Sequence, residues 1–232
     1  MGASVFGCVQ RLFDDCVRRT LQESEHQPRD ARPCIQELRS LAAVIREAHK
    51  RGIRVHAWLC DFTQSADGPV MQKHPEWAAR NPEGKIPSQA ELLGDGVPYY
   101  INWMCPAQRP GYADQWLLPM IEEIVRDYDV DGIHHDYLRY PGDVAPDSYF
   151  FYTYRQDAIN RFAREAWERA SVIKPNIEFS AAVFKNPMAS GRFIGQRWTD
   201  FSPWVDLMMP IGRLKPFERE AATASSSSTP EA

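Results

Sequence analysis

The chain of 232 residues has no CxxC pair, and its five cysteines (Cys8, Cys16, Cys34, Cys60 and Cys105) are scattered and odd in number. Neither a zinc ribbon nor a disulfide scaffold is suggested. No run of about 18 apolar residues is present, so no segment reads as a bilayer-spanning helix. Lys/Arg-rich blocks are missing too: 27 basic against 31 acidic side chains leave a net charge of −4, and the pI is near 5.9. Such a chain does not track nucleic-acid phosphates or anionic lipid by charge alone, and nucleic acid is not expected as a partner. Where a signal peptide needs an unbroken apolar stretch, the first 20 residues place Arg11, Asp14, Asp15, Arg18 and Arg19, so the sequence names no compartment. HxH and HExxH spacings are absent, and the GDG at Asp95 lacks a following GK[ST]. Neither a metal nor any other cofactor is expected.

What is there suits a folded protein. Hydrophobic residues make up 44% and charged residues 25%, which drops collagenous, coiled-coil and wholly disordered classes. Between Pro33 and Gly52, Ile35, Leu38, Leu41, Ile45 and Ala48 recur at steps of three and four, with Pro opening the segment and Gly closing it; this predicts an amphipathic helix. Ile53 to Cys60, rich in β-branched and aromatic residues, follows as a buried strand. The unit repeats. A helix carrying Tyr112, Trp116, Met120 and Ile124 leads into a strand over Val130 to Leu138, and a helix from Asp157 to Ile173 leads into a strand over Ile177 to Phe184. A weaker strand begins at Trp204, and Ala3 to Gln10 offers another at the amino end.

Helices alternating with short apolar strands mark an α/β protein with a parallel sheet, because each crossover must pass over a sheet face. Five to six strands fall short of the eight of a (β/α)8 barrel, so the expected architecture is an incomplete barrel of TIM type over residues 1–213. The Ser-rich residues 214–232 are expected to be a disordered tail. Long loops over Asp61 to Asn102 and Lys185 to Pro203 follow the carboxyl ends of strands, where barrels build their active sites.

Asp136 is the sharpest site candidate. Strand period two puts His134 and Asp136 on one face, with Ile133, His135 and Tyr137 on the other. A carboxylate near the end of an apolar strand needs hydrogen-bonding partners; catalysis is one explanation and an ion pair with Arg139 is another. His56 and Trp58 likewise share a face; indole plus imidazole suits a carbohydrate pocket, but on spacing alone a core tryptophan beside a buried, hydrogen-bonded histidine is the favoured reading. Trp77, Tyr99, Tyr100, Trp103, Trp198 and Trp204 could stack on sugars or pack as lids.

The succession IREAHKRGIRVHAWL, HPEW, WMCPAQRPGYADQWLLPMIEEIVRDYDVDGIHHDYLRYP, IEFSAAVF and WVDLMMP resembles the glycosyl-hydrolase-like 10 family of TIM-barrel glycoside hydrolases. The likeness runs from about Pro33 to Pro210 and is most specific in the DVDGIHHDYLRYP element. It implies an enzyme acting on a poly- or oligosaccharide, with Asp136 matching the family's strand-end aspartate and His56, Trp58, His134, Arg139 and Tyr140 lining the sugar pocket. Against that pattern the barrel's last strands are expected to be missing, because the chain continues after Met209 as PIGRLKPFERE and then serines. Glycoside hydrolysis takes two carboxyl groups in most families. Asp136 is assigned as nucleophile or base, while Asp61 and Asp200 are geometrically allowed as the second and neither is chosen. A non-catalytic glycan-binding barrel remnant is the competing reading.

Overall fold

A computed structural model describes residues 4–8, 32–80, 83–89, 101–141 and 149–211. The Ser-rich segment, the GDG loop, Tyr99 and Tyr100 lie outside the described residues. The described strands are β1 (Ser4–Cys8), β2 (Arg54–Cys60), β3 (Thr63–Ser65), β4 (Ile101–Trp103), β5 (Gly132–Asp136), β6 (Glu178–Phe184) and β7 (Leu207–Ile211). The helices are α1 (Arg32–His49), α2 (Pro69–Lys73), α3 (Leu118–Asp127), α4 (Tyr149–Ile173), α5 (Pro187–Ile194) and α6 (Trp198–Phe201). Five strands form one parallel sheet in the order β1-β2-β5-β6-β7. Every strand is laid down on the same side of its predecessor, which is the winding of a (β/α) barrel; a doubly wound sheet would reverse direction at a switch point. Five strands do not close a barrel, and β1 and β7 each pair on one side only among the described strands. The incomplete (β/α) architecture expected from the sequence is the one observed.

Strand alternation divides this sheet into two unlike faces. Val55, Ala57 and Leu59 of β2, Ile133 of β5, and Phe179, Ala181 and Val183 of β6 join one core with Leu118, Ile121 and Ile124 of α3 and Ile159, Phe162 and Ala166 of α4. These residues explain why the predicted helices and strands form: each apolar stripe buries itself against the sheet. The opposite, inner face carries His56 and Trp58 of β2, His134 and Asp136 of β5, and Ser180 of β6, fixed by the register Trp58↔His134↔Ser180 and Cys60↔Asp136.

Two aspartates tie the strand starts. Asp131, just before β5, accepts from Val55 N at 2.6 Å, and Asp206, just before β7, accepts from Phe179 N at 2.8 Å. The recurring Val-Asp pair at 130–131 and 205–206 is thus one device used twice to satisfy a neighbouring strand's N–H. The two long loops are more structured than expected. Within 61–102, β3 pairs antiparallel with β4. The segment from Lys185 to Pro203 contains α5 and α6: Asn186 Oδ1 accepts from Ala189 N at 3.0 Å, Pro187 begins the helix, and Gly195 ends it at φ 79°. That is an N-cap, a first-turn proline and a left-handed closing glycine, a signal present in NPMASGRFIG. Helix α4 starts at Tyr149 rather than Asp157.

Candidate active site at the strand ends

Cys60, Asp136, Phe184 and Ile211 end their strands and share the inner face; Asp136 is the carboxylate among them. Two N–H groups hold it. Tyr137 N donates to Oδ1 at 2.7 Å, and the Trp58 indole Nε1 donates to Oδ2 at 3.2 Å. Tyr137 itself has φ 52°, a left-handed conformation costly for a bulky side chain and one that clusters at functional sites. The turn places Tyr137 N against the carboxylate and sends its ring across the strand end, tilted to Trp103 at 5.6 Å. The β3–β4 pairing brings Trp103 there, with Met104 N donating to Phe62 O at 2.9 Å. The Arg139 guanidinium lies over the rings of Trp103, Tyr137 and Phe184 at 4.6, 5.2 and 4.9 Å, and its Nη1 donates to Tyr140 O. Asp136, Trp58, Arg139 and Tyr137 therefore come together as one partly open cluster of acid, cation and aromatic ring, packed on the buried Trp103.

The imidazoles sit lower and are buried. His134 Nδ1 lies 2.8 Å from Ser180 Oγ, and His56 Nδ1 lies 3.3 Å from the same hydroxyl. His56 reaches Ser180 across β5 because Gly132 has no side chain there; a Cβ at Gly132 would stand 2.5 Å from His56 Cε1. His56 Nε2 also lies 3.3 Å from Glu178 Oε2, whose other oxygen pairs with Arg54. Burial, assisted by His135 and His56, lowers the His134 pKa to about 4. Burial likewise lowers that of His56, against the opposing pull of Glu178. Both rings are thus neutral near pH 7. His56 pairs in register with Gly132, four residues before Asp136, or about 13 Å along the strand. The structure separates His56 from the strand-end cluster, and it places His134 beneath the cluster with its ring edge-on to Trp58 at 5.9 Å.

Tyr140 is displaced as well. Only 7% exposed, its ring lies under the Arg155 guanidinium at 5.0 Å and its N donates to Ile194 O. Burial pushes the phenol pKa upward. Its placement is a core position between α4 and α5, and the expected sugar contact does not follow from it.

Neither candidate second carboxyl joins Asp136 on the inner face. Asp61 is fully buried on the helix-covered side, where His135 Nδ1 lies 2.9 Å from Oδ2 and the His135 ring stacks on Phe179 at 5.4 Å. Desolvation pushes the Asp61 pKa up to about 6, opposed by His135 and reinforced by Asp136. Asp200 sits on α6 with Arg197 Nε at 3.4 Å. Of the aromatics, Trp77 is buried and stacked on His74 at 3.8 Å, and the Trp204 indole N donates to Asn160 Oδ1 on α4 at 3.2 Å. Ser180, Gly132 and Gln196 escape a reading by motif. Gln196 is fully buried, donates to Leu138 O and Ala182 O, and accepts from Phe184 N, tying the ends of β5 and β6 together. For Ser180 the available signal was a polar residue in an apolar stretch; its convergence with the imidazoles depends on register. Among the described residues there is no cluster of three or more His, Cys, Asp or Glu able to hold a metal, and no helix is long and apolar enough to cross a membrane.

Comparison with known proteins gives this geometry a setting. The model of the family described as hypothetical glycosyl hydrolase 6 matches residues 21–137. The glycosyl-hydrolase-like character read from the motifs is thereby found, in a family numbered 6 where the motifs resembled family 10. Glycosyl hydrolase YngK of Bacillus subtilis (strain 168) is 25% identical over 170 residues, covering 62% of this chain and 29% of its own length. Glycosyl hydrolase DigH of Escherichia coli (strain K12) is 26% identical over 170 residues, covering 63% of this chain and 36% of its own. The chain thus spans about a third of the length of these curated relatives. Among solved structures, an α-amylase from Lactobacillus plantarum is similar over 74% of this chain and 35% of its own, at 18% identity and a TM-score of 0.49.

Proposed function

The chain belongs to the hypothetical glycosyl hydrolase 6 family, and on that premise we propose that it hydrolyses glycosidic bonds of a poly- or oligosaccharide with Asp136 as nucleophile or base. The observation that carries the reading is the Asp136 carboxylate at a strand end, fixed by two N–H donors beside Arg139 and the Trp103 and Tyr137 rings. Trp103, 4% exposed, holds Arg139 in place, while the half-buried Tyr137 ring suits the apolar face of a sugar and a guanidinium suits its hydroxyls. A rigid carboxylate can attack an anomeric carbon or activate water, while a second carboxyl group protonates the leaving oxygen. The narrower likeness to the glycosyl-hydrolase-like 10 family supports the same assignment of Asp136.

The test is release of reducing ends from soluble starch, galactomannan, xylan and glycol chitin by the wild-type chain and by Asp136→Asn. Cleavage by the wild type and none by the variant, with nearly equal melting temperatures, is the expected result; equal cleavage by both overturns the role of Asp136. A second reading, a non-catalytic glycan-binding module, is favoured by one observation: among the described strand ends of the inner face, no second carboxylate accompanies Asp136. Under it a polysaccharide raises the melting temperature without new reducing ends.

A further inference from the structure

The family resemblance places Trp58 in a sugar pocket and its spacing favours the core, yet its indole N–H is directed at the Asp136 carboxylate. The register accounts for this. Trp58 pairs with His134 and Cys60 pairs with Asp136, so Trp58 and Asp136 are diagonal neighbours on one face of adjacent parallel strands, within reach of a large ring. An indole N–H can only donate, and a carboxylate oxygen can only reward it by accepting. The ring is braced from below: His134 meets it edge-on at 5.9 Å and 78°, and His134 is in turn held by Ser180 at 2.8 Å. Tyr137 N takes the other carboxylate oxygen through a backbone in the left-handed region.

We infer that Trp58 is a positioning residue, its indole N–H orienting the Asp136 carboxylate, with His134 and Ser180 as the brace that keeps the indole in place. The catalytic part of this inference rests on the proposed role of Asp136; the hydrogen bond itself does not. A carboxylate with one donor on each oxygen cannot rotate, so its remaining lone pairs keep a fixed direction toward the open side of the cluster.

Trp58→Phe removes the N–H and keeps an aromatic face. On whichever of the four polysaccharides the wild type cleaves, kcat falls ~10- to 100-fold, the cost of a hydrogen bond to a charged group, with KM within about twofold. A platform would give the converse, an unchanged kcat and a shifted KM, and that result overturns the inference. Replacement of Trp58 by 3-benzothienylalanine, which has the indole's shape without its N–H, gives the same loss of kcat if the N–H is responsible and none if ring shape is. An activity-independent measurement separates this inference from the hydrolase reading. In a 15N-labelled chain the indole N–H resonance that disappears in Trp58→Phe shifts upfield in Asp136→Ala, which removes the acceptor, while that of Trp204, bonded to Asn160, stays. An unmoved Trp58 resonance overturns the inference whether or not any glycan is cleaved; a shifted resonance supports it even if none is.

Discussion

The two faces of the parallel sheet solve opposite problems with the same five strands. Among the described residues, the helix-covered face is apolar except for one buried pair, Asp61 and His135, each 0% exposed. The inner face is polar in layers, with Glu178 and His56 at the strand starts, Ser180 and His134 in the middle and Asp136 at the strand ends. A charge on the first face is tolerated because a partner meets it in full burial. Carboxylate and imidazoles on the second face hang on shared hydroxyl and N–H donors, and they leave Asp136 partly open. Polar groups on one face serve cohesion; on the other they are graded toward an accessible acid.

The largest expected effect breaks the helix-covered face. Asp61→Ala leaves His135 without its partner in the core and costs about 3–5 kcal/mol, as for other broken buried pairs; urea unfolding with an unchanged m-value measures it. Next comes the inner face at its lower layer. Gly132→Ala drives a Cβ to 2.5 Å from the His56 ring and 2.7 Å from Glu178 O, an overpacking worth about 1–3 kcal/mol, which the same unfolding curves report.

Acid sharpens the contrast, since the two faces respond with opposite sign. His134, lowered from 6.5 to about 4, takes up a proton more readily when unfolded, so its contribution is present above pH 6.5 and is lost as pH falls toward 4. Asp61, raised from 3.8 to about 6, holds its proton more tightly when folded, so its contribution is present near pH 4 and is lost as pH rises to 6. Relative to the wild type, in which the two contributions largely offset each other, stability measured from pH 7 down to 4 should therefore rise in His134→Asn and fall in Asp61→Asn. Parallel curves for the wild type and both variants would contradict the assignment. The smallest effect on stability belongs to Asp136→Asn, about 1 kcal/mol, because the position is partly exposed and Asn keeps one of the two acceptor oxygens that Tyr137 N and the Trp58 indole use; a loss well above that would move Asp136 from the reactive set to the structural one.

Much of the scaffold was legible because helix and strand periods are local. The stripe Ile35 to Ala48, the runs at Arg54–Cys60 and Glu178–Phe184, and the pairing of His134 with Asp136 on one face all follow from spacing. Two kinds of residue were not legible. Tyr140 looks identical to a pocket aromatic until the position of α5 buries it under Arg155. Asp61 looks like a strand-end acid until His135, 74 positions away, claims it.

By itself the sequence determined the alternation of helix and strand, the face to which each strand residue turns, and the presence of a carboxylate near the end of an apolar strand. Those are properties of a few consecutive residues, set by backbone geometry and the hydrophobic effect. Only the tertiary structure decided that the Trp58 N–H meets Asp136, that Ser180 joins two imidazoles, that Trp103 arrives beside Tyr137, and that Asp61 turns away. Each of these depends on inter-strand register, where a shift of one residue would exchange the two faces, and register is a relation between distant segments that no local pattern contains.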